Sequence, residues 1–389
     1  MALTDLKNTV VARFSERFGT RPAAIGIAPG RVEVLGNHTD YNEGFILSAA
    51  IDRYIVLAGR ARTDTTARIW CARFNEGTEF DVNDLQRDAK AHWADYIKGT
   101  LAECRTAGIP VTGFDAVLFG DVPLGSGLSS SAALEVATAQ LMLSLANREI
   151  PNKELALLCQ RAENKFVGVP CGILDQWSSI HGVENGLITL DCRTLTGGGA
   201  NLGAGVELVL ANTNAPHKLA DGAYAKLRAA CFEAASALRK HKPSITHLRD
   251  VSVAEFQQWQ GDLPVDVRRR AKHVVTENDR VQRGIAALAK GDLATMGRCM
   301  CESHASSRDD FGNSCRELDI MVDLAMQLPG CHGCRLSGGG FGGCTVNLVD
   351  ASKAEAFAET LAARYEEKTG IKAGMHLCRA VAGAHRVTA

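Results

Sequence analysis

An α/β unit followed by an α+β unit is the fold class this sequence predicts, and three observations carry it. The 389 residues exceed what one hydrophobic core usually organises. A strand-like run, Phe114–Phe119, feeds a Gly- and Ser-rich junction and then a helical pattern, the order of an α/β unit. A glycine-rich break from Thr194 to Gly205 (TLTGGGANLGAG) then separates this half from one in which helices cluster between strands. The boundary predicted is 195/196, giving units 1–195 and 196–389.

Element by element, Thr4 is placed to cap a helix through Phe18, with Leu6, Val10, Val11 and Phe14 at helical spacing. Ala24–Ile27, Val32–Leu35, Ile46–Ala50, Ile55–Ala58 and Ala67–Cys71 read as short strands. After the junction, Leu134, Ala137, Leu141 and Leu145 share one helix face, and a second helix spans Asn152–Phe166. Gly186–Cys192 ends the first unit as a strand. In the second, Val206–Ala211, Cys334–Ser337 and Cys344–Leu348 are strands. Helices are expected from about Gly222, Val265, Leu293 and Ser314, with a last one over Ala351–Thr369.

A net charge of −1 gives no reason to expect a nucleic-acid or membrane surface; small charged metabolites fit better. No apolar run reaches transmembrane length, and MALTDLKNTVVARF lacks the apolar core of a signal peptide, so a cytoplasmic location is expected. The thirteen cysteines, an odd number in a large chain, are expected to be reduced. Cys331 and Cys334 form a CHGC spacing, but no second pair stands at zinc-site spacing.

The chemistry concentrates at Gly120–Ala137, GDVPLGSGLSSSAALEVA. Gly125 and Gly127 let backbone approach an anion, while Ser129, Ser130 and Ser131 place hydroxyls beside the unpaired N–H groups of a helix opening near Ala132. The junction lacks the Lys-Ser/Thr ending of a Walker A loop, so another nucleotide-binding lineage is implied. A serine-rich helix cap is the competing reading. Asp175 follows a Pro170-Cys171-Gly172 turn that aims a short carboxylate into a cleft, although its spacing equally allows an N-cap. Trp93 and Trp70 are candidate walls for an adenine pocket, with core packing as the alternative.

Three stretches in order resemble the GHMP kinase superfamily: Ala28–Asp52 (APGRVEVLGNHTDYNEGFILSAAID), the junction, and Ser337–Val349 (SGGGFGGCTVNLV). The spacing of Gly30, Arg31, Gly36, His38, Thr39, Asp40, Tyr41 and Asn42 resembles the sugar-binding signature of the galactokinase family. DYIKG at Asp95, Ala162–Gln176, Asn212–Cys231 and Glu302–Asp310 extend the likeness over nearly the whole chain. The resemblance implies an active site in the cleft between two domains, and phosphoryl transfer from ATP with Mg²⁺ to the anomeric hydroxyl of D-galactose. It gives Ser131 and Glu163 to the metal, Asp175 to the sugar hydroxyl, and Arg31 to Asp175 and the transferring group. Asp40, His38, Gly172 and Tyr224 would line the sugar site, with the SGGGFGG glycines approaching the phosphates or closing the cleft. A monomer or weak homodimer is expected.

The sequence also departs from the family pattern. Asn37 stands where galactokinases normally carry the glutamate associated with the sugar's C6 end, and Glu33 where asparagine is common. Ser48 replaces a usual proline, and Leu227 a common arginine. Asn37, being neutral, would still bind a C6 hydroxyl but would no longer repel a C6 carboxylate. A kinase for a galactose relative (galacturonate or an amino sugar) and a non-catalytic galactose/ATP sensor are the alternatives.

Overall fold

The computed structural model describes residues 1–88, 91–123, 125–203, 205–215 and 222–389. Leu124 of the junction motif and residues 216–221 of the Asn212–Cys231 stretch lie outside the described residues.

In chain order the strands begin with β1 (Ala24–Leu35), β2 (Phe45–Ala61), β3 (Thr66–Cys71), β4 (Glu76–Asp81), β5 (Phe114–Gly120) and β6 (Gly186–Asp191). They continue with β7 (Thr196–Asn201), β8 (Val206–Asn212), β9 (Cys331–Leu336), β10 (Cys344–Asp350), β11 (Gly374–Cys378) and β12 (His385–Thr388). The short strands expected at each end of β1 are one element. Pro29 cannot donate to the ladder, but the register shifts between Pro29 and Arg31, and this irregularity lets the strand continue. Likewise the two runs expected within 46–58 merge into β2.

An eight-stranded sheet carries the path β12-β1-β2-β5-β3-β4, with β6 on β2 and β7 on β6. β2 is long enough to pair β6 through Phe45–Ser48 and β5 through Ile55–Ala61. The glycine-rich stretch is not a separating break: its Thr194 and Leu195 close the hairpin from β6 into β7, its glycines 197–199 pair with β6 inside β7, and residue 204 lies outside the described residues. β7 and β12 both lie in the sheet that contains β1, so the chain crosses between layers more than once. The helix Leu3–Phe18 seats Leu6, Val10 and Phe14 on one sheet face against Ile25, Ile27 and Val56. It starts one residue before Thr4, with Asp5 and Leu6 donating to the Ala2 carbonyl, so Thr4 is not its cap.

Ser130–Leu145 lies on the other face. It is buried from Ala132 through Leu143 rather than along one stripe, because it is a central helix covered on all sides. Its backbone lies close to β1 at Gly26, where a Cβ would fall 2.0 Å from the Ala137 carbonyl oxygen. Helix His92–Thr106, which has no counterpart in the sequence reading, packs beside it. The second layer has four antiparallel strands, β11-β8-β10-β9, backed by helices Arg316–Ala325 and Ala354–Thr369. Helices Ala223–Leu238, Val253–Trp259 and Val265–Leu288 form a separate apolar cluster that reaches Tyr41.

Candidate active site

β1 delivers Arg31, and the loop after β5 delivers the phosphate-type junction. The junction's helix opens at Ser130, two residues earlier than expected, so the N–H groups of its first turn are free to face a ligand. Gly125 and Gly127 have φ of 65° and 72°, and Ser129 takes a left-handed φ of 57°. Arg31 joins junction to sheet: its N–H donates to the Leu128 carbonyl at 3.2 Å and Nη1 to the Gly127 carbonyl at 2.6 Å. Nε and Nη2 both donate to Oδ1 of Asp175, at 2.8 and 2.6 Å. The Ser129 hydroxyl donates to the other oxygen, Oδ2. Asp175 occupies the first turn of helix Leu174–Ile180.

A cavity of about 640 Å³ opens beside this pair, walled by Arg31, Asn37, His38, Asp40, Gly172 and Tyr224 among others. Asp40 sits in a tight turn after β1, and its pKa is pushed up to about 7, chiefly by burial, with repulsion from Glu33 and Asp175 adding. Gly172 makes room for it, since a Cβ there would lie 1.6 Å from the Asp40 carboxylate. His38 has its pKa lowered to about 4 by burial and is neutral. Its Nε2 lies 3.4 Å from the Gly339 carbonyl, so Nε2–H donates there and Nδ1 accepts from the Tyr41 hydroxyl at 2.8 Å. Tyr224, at the start of its helix, brings its ring within 5.2 Å of His38. The glycine run between β9 and β10 closes one side. A Cβ at Gly340 would fall 2.1 Å from the Asn313 carbonyl oxygen.

Glu163 lies on a π-helical turn, Ala162–Val167, where the predicted helix changes pitch after Arg161. Such turns recur at functional sites. Burial and the nearby Asp175 raise its pKa to about 7, and the Ser131 side chain is among the groups that favour its ionised form. Its Oε2 accepts from Gln176 Nε2 at 2.7 Å and from Cys171 Sγ at 3.3 Å. Glu135, behind it, is pushed well above the usual carboxylate range by burial and by Glu163, and among the described residues its Oε1 has no partner.

Family models match along the chain: the galactokinase galactose-binding signature over residues 12–61, the GHMP kinases N terminal domain over 95–183 and the GHMP kinases C terminal over 285–367. The curated galactokinase of Roseiflexus sp. (strain RS-1) is 45% identical over 375 residues, covering 96% of each chain. The chain belongs to the galactokinase family. Galactokinase from Pasteurella multocida is 38% identical over 95% of this chain and 96% of its own. The crystal structure of Lactococcus lactis galactokinase complexed with galactose superposes with a TM-score of 0.94 at 31% identity, covering 98% of this chain and all of the other. A mevalonate kinase structure, at 17% identity and TM-score 0.62 over 91% of this chain and 98% of its own, shares the fold.

In this galactokinase-family chain, Arg31, Asn37, His38, Asp40, Glu163, Gly172, Asp175 and Tyr224 share one cavity. Gly125, Gly127, Ser129, Ser130 and Ser131 are not among the residues that wall it; Gly127, Ser129 and Ser131 meet it through Arg31, Asp175 and Glu163 respectively. Trp70 packs under Arg17 and Trp93 donates to Glu76, both away from the cavity. All thirteen cysteines are unpaired. Sequence reasoning missed Glu277, which accepts from the N–H groups of Gly36 and Asn37 at 2.9 and 3.2 Å and so fixes the sugar-signature turn. The signal was present: His273, Glu277 and Arg280 recur at helical spacing on the buried face of Val265–Leu288.

Proposed function

We infer that this chain transfers the γ-phosphoryl group of ATP to the C1 hydroxyl of D-galactose, giving galactose 1-phosphate and ADP. The observation that carries the reading is Arg31, whose guanidinium ties the Asp175 carboxylate to the phosphate-type loop at the mouth of a polar cavity. In it, Asp175 holds the C1 hydroxyl and takes its proton as the new O–P bond forms, while Arg31 offsets charge on the transferring group. Asp40 accepts from sugar hydroxyls, which replace its lost hydration; His38 and Tyr224 supply the neutral walls.

Gly125, Gly127 and Ser129–Ser131 would receive the phosphates, with the free N–H groups of the helix opening at Ser130. Among the described residues no group of three or more His, Cys, Asp or Glu is arranged to hold a metal alone. A nucleotide-bound Mg²⁺ needs only one or two protein oxygens, and the donor set suits it: Glu163 is raised by burial and by Asp175, Glu135 by burial and by Glu163, and among the described residues Glu135 Oε1 has no partner. Glu163 and Ser131 would hold the ion, which when bound neutralises phosphate charge. Thirteen unpaired thiols go with a reducing compartment, the cytoplasm. A monomer or weak homodimer completes the reading.

The test is a nucleotide-coupled assay over a panel of hexoses, uronic acids and amino sugars, with phosphorus NMR of the product. Galactose is expected to lead, phosphorylated at C1. A higher kcat/KM for another sugar, or a phosphate at another carbon, overturns the reading.

A further inference from the structure

Asn37 is 1% exposed, and its amide is committed to the protein. Its Nδ2 donates to Glu33 Oε1 at 3.1 Å and to the Gly338 carbonyl at 2.7 Å, using both hydrogens. Its Oδ1 accepts from Asn313 Nδ2 at 2.8 Å and from the Ser307 hydroxyl at 3.4 Å. Little capacity remains for a sugar. Glu33 differs: it lines the cavity, and among the described residues only Oε1 has donors, namely Asn37 and Arg335 Nη1 at 2.7 Å. Arg335 is fully buried and pins that oxygen from behind. Oε2 is free to accept from a ligand. The two departures at 33 and 37 are therefore one exchange of acid and amide across a single hydrogen bond.

We propose that Glu33, seated by Asn37 and Arg335, is the sugar-facing acceptor at this wall and the residue that keeps uronic acids out, with Asn37 as its positioning residue. The proposal rests on the reading of the cavity as the sugar site. Glu33, Asp40, Glu163 and Asp175 are carboxyl groups on its wall, and Arg31, the one cation among the described wall residues, is bound to Asp175. A neutral polyol finds acceptors there. A sugar carboxylate would bring a further negative charge to a wall where burial already disfavours the ionised forms of Glu33 and Asp40.

The experiment measures kcat and KM for galactose and galacturonate, KM for ATP, and the galactose-induced rise in Tm. The proteins are parent, Glu33→Gln, Asn37→Glu and the exchange Glu33→Asn with Asn37→Glu. Glu33→Gln is expected to raise the galacturonate-to-galactose ratio of kcat/KM at least about tenfold, through sugar KM and with KM for ATP unchanged. Asn37→Glu sets a second carboxylate against Glu33 and is expected to lose about tenfold or more in galactose kcat/KM. The exchange, which again holds one acid and one amide, is expected to exceed Asn37→Glu alone. An unchanged sugar ratio in folded Glu33→Gln overturns the proposal. If that variant does not fold, an exchange variant no better than Asn37→Glu overturns it. A parent that does not phosphorylate galactose, or is not stabilised by it, sinks the functional reading instead.

Discussion

The two ends of the cavity bury charge in opposite ways. At the end formed by the sugar signature Glu33 pairs with Arg335 at 2.7 Å and Glu277 with Arg280 at 2.6 Å, while Asp40, on the cavity wall, is pushed up to about 7 chiefly by burial. Glu277 is held well below the usual carboxylate range by Arg280 and other nearby cations despite complete burial. At the phosphate end Glu135, Glu163 and Asp175 crowd together, Arg31 serves Asp175, and Glu163 and Glu135 are pushed upward. A balanced cluster is finished before any ligand arrives and holds shape. An unbalanced one carries burial and repulsion that a cation would relieve, which is what the proposed Mg²⁺ role of Glu163 requires.

The contrast is most exposed to test at Asp175. Asp175→Ala is expected to cost about 10²–10⁴ in kcat with KM for ATP nearly unchanged, measured under saturating ATP; near-parental kcat would remove Asp175 from the chemistry. Next comes the balanced end. Arg280→Met leaves Glu277 buried without its partner and is expected to destabilise by about 3–5 kcal/mol in urea unfolding. A loss below about 1 kcal/mol would mean the pair is not the anchor described.

Glu163 gives a smaller effect of the opposite sign. Because its folded pKa is raised from 4.5 to about 7, its neutral form favours the fold: the contribution is full below about 4.5 and is lost as pH rises through 7. Glu163→Gln is therefore expected to stabilise the ligand-free protein at pH 8 by about 1–3 kcal/mol, and to lower kcat. Destabilisation at that pH would show the phosphate end to be balanced after all. Smallest is Ser131→Ala, expected to raise the Mg²⁺ concentration for half-maximal rate by about threefold to tenfold with sugar KM unchanged, as one oxygen ligand is lost. An unaltered Mg²⁺ titration would move the ligand role to another serine or to Glu163 alone.

Much of this was legible from the chain, for physical reasons that differ by region. The junction at Gly125–Ser131 and the turn at Pro170–Gly172 advertise themselves because positive φ and close approach demand small residues locally. Merged strands were not legible, because Pro29 reads as a breaker until its neighbour's register shift is seen. Nor was the change of pitch at Ala162, which places Glu163 without any glycine or proline to mark it. The partners of Asn37 were hidden for a simpler reason. Gly338, Asn313 and Glu277 come from the far half of the chain, and only tertiary packing brings them to residue 37.

Strand β12 pairs Ile25 with Val387 and Ile27 with His385, on the edge of the strand that carries Arg31 and Glu33. During synthesis that edge of β1 stays without its partner while the whole intervening chain is made. At about 5–20 residues per second the wait is on the order of 20–70 s. Until then the nascent chain presents an open, apolar strand edge of the kind that recruits other chains. Of all the pairings in the large sheet, the one that completes the edge of the Arg31 strand is the last the ribosome permits.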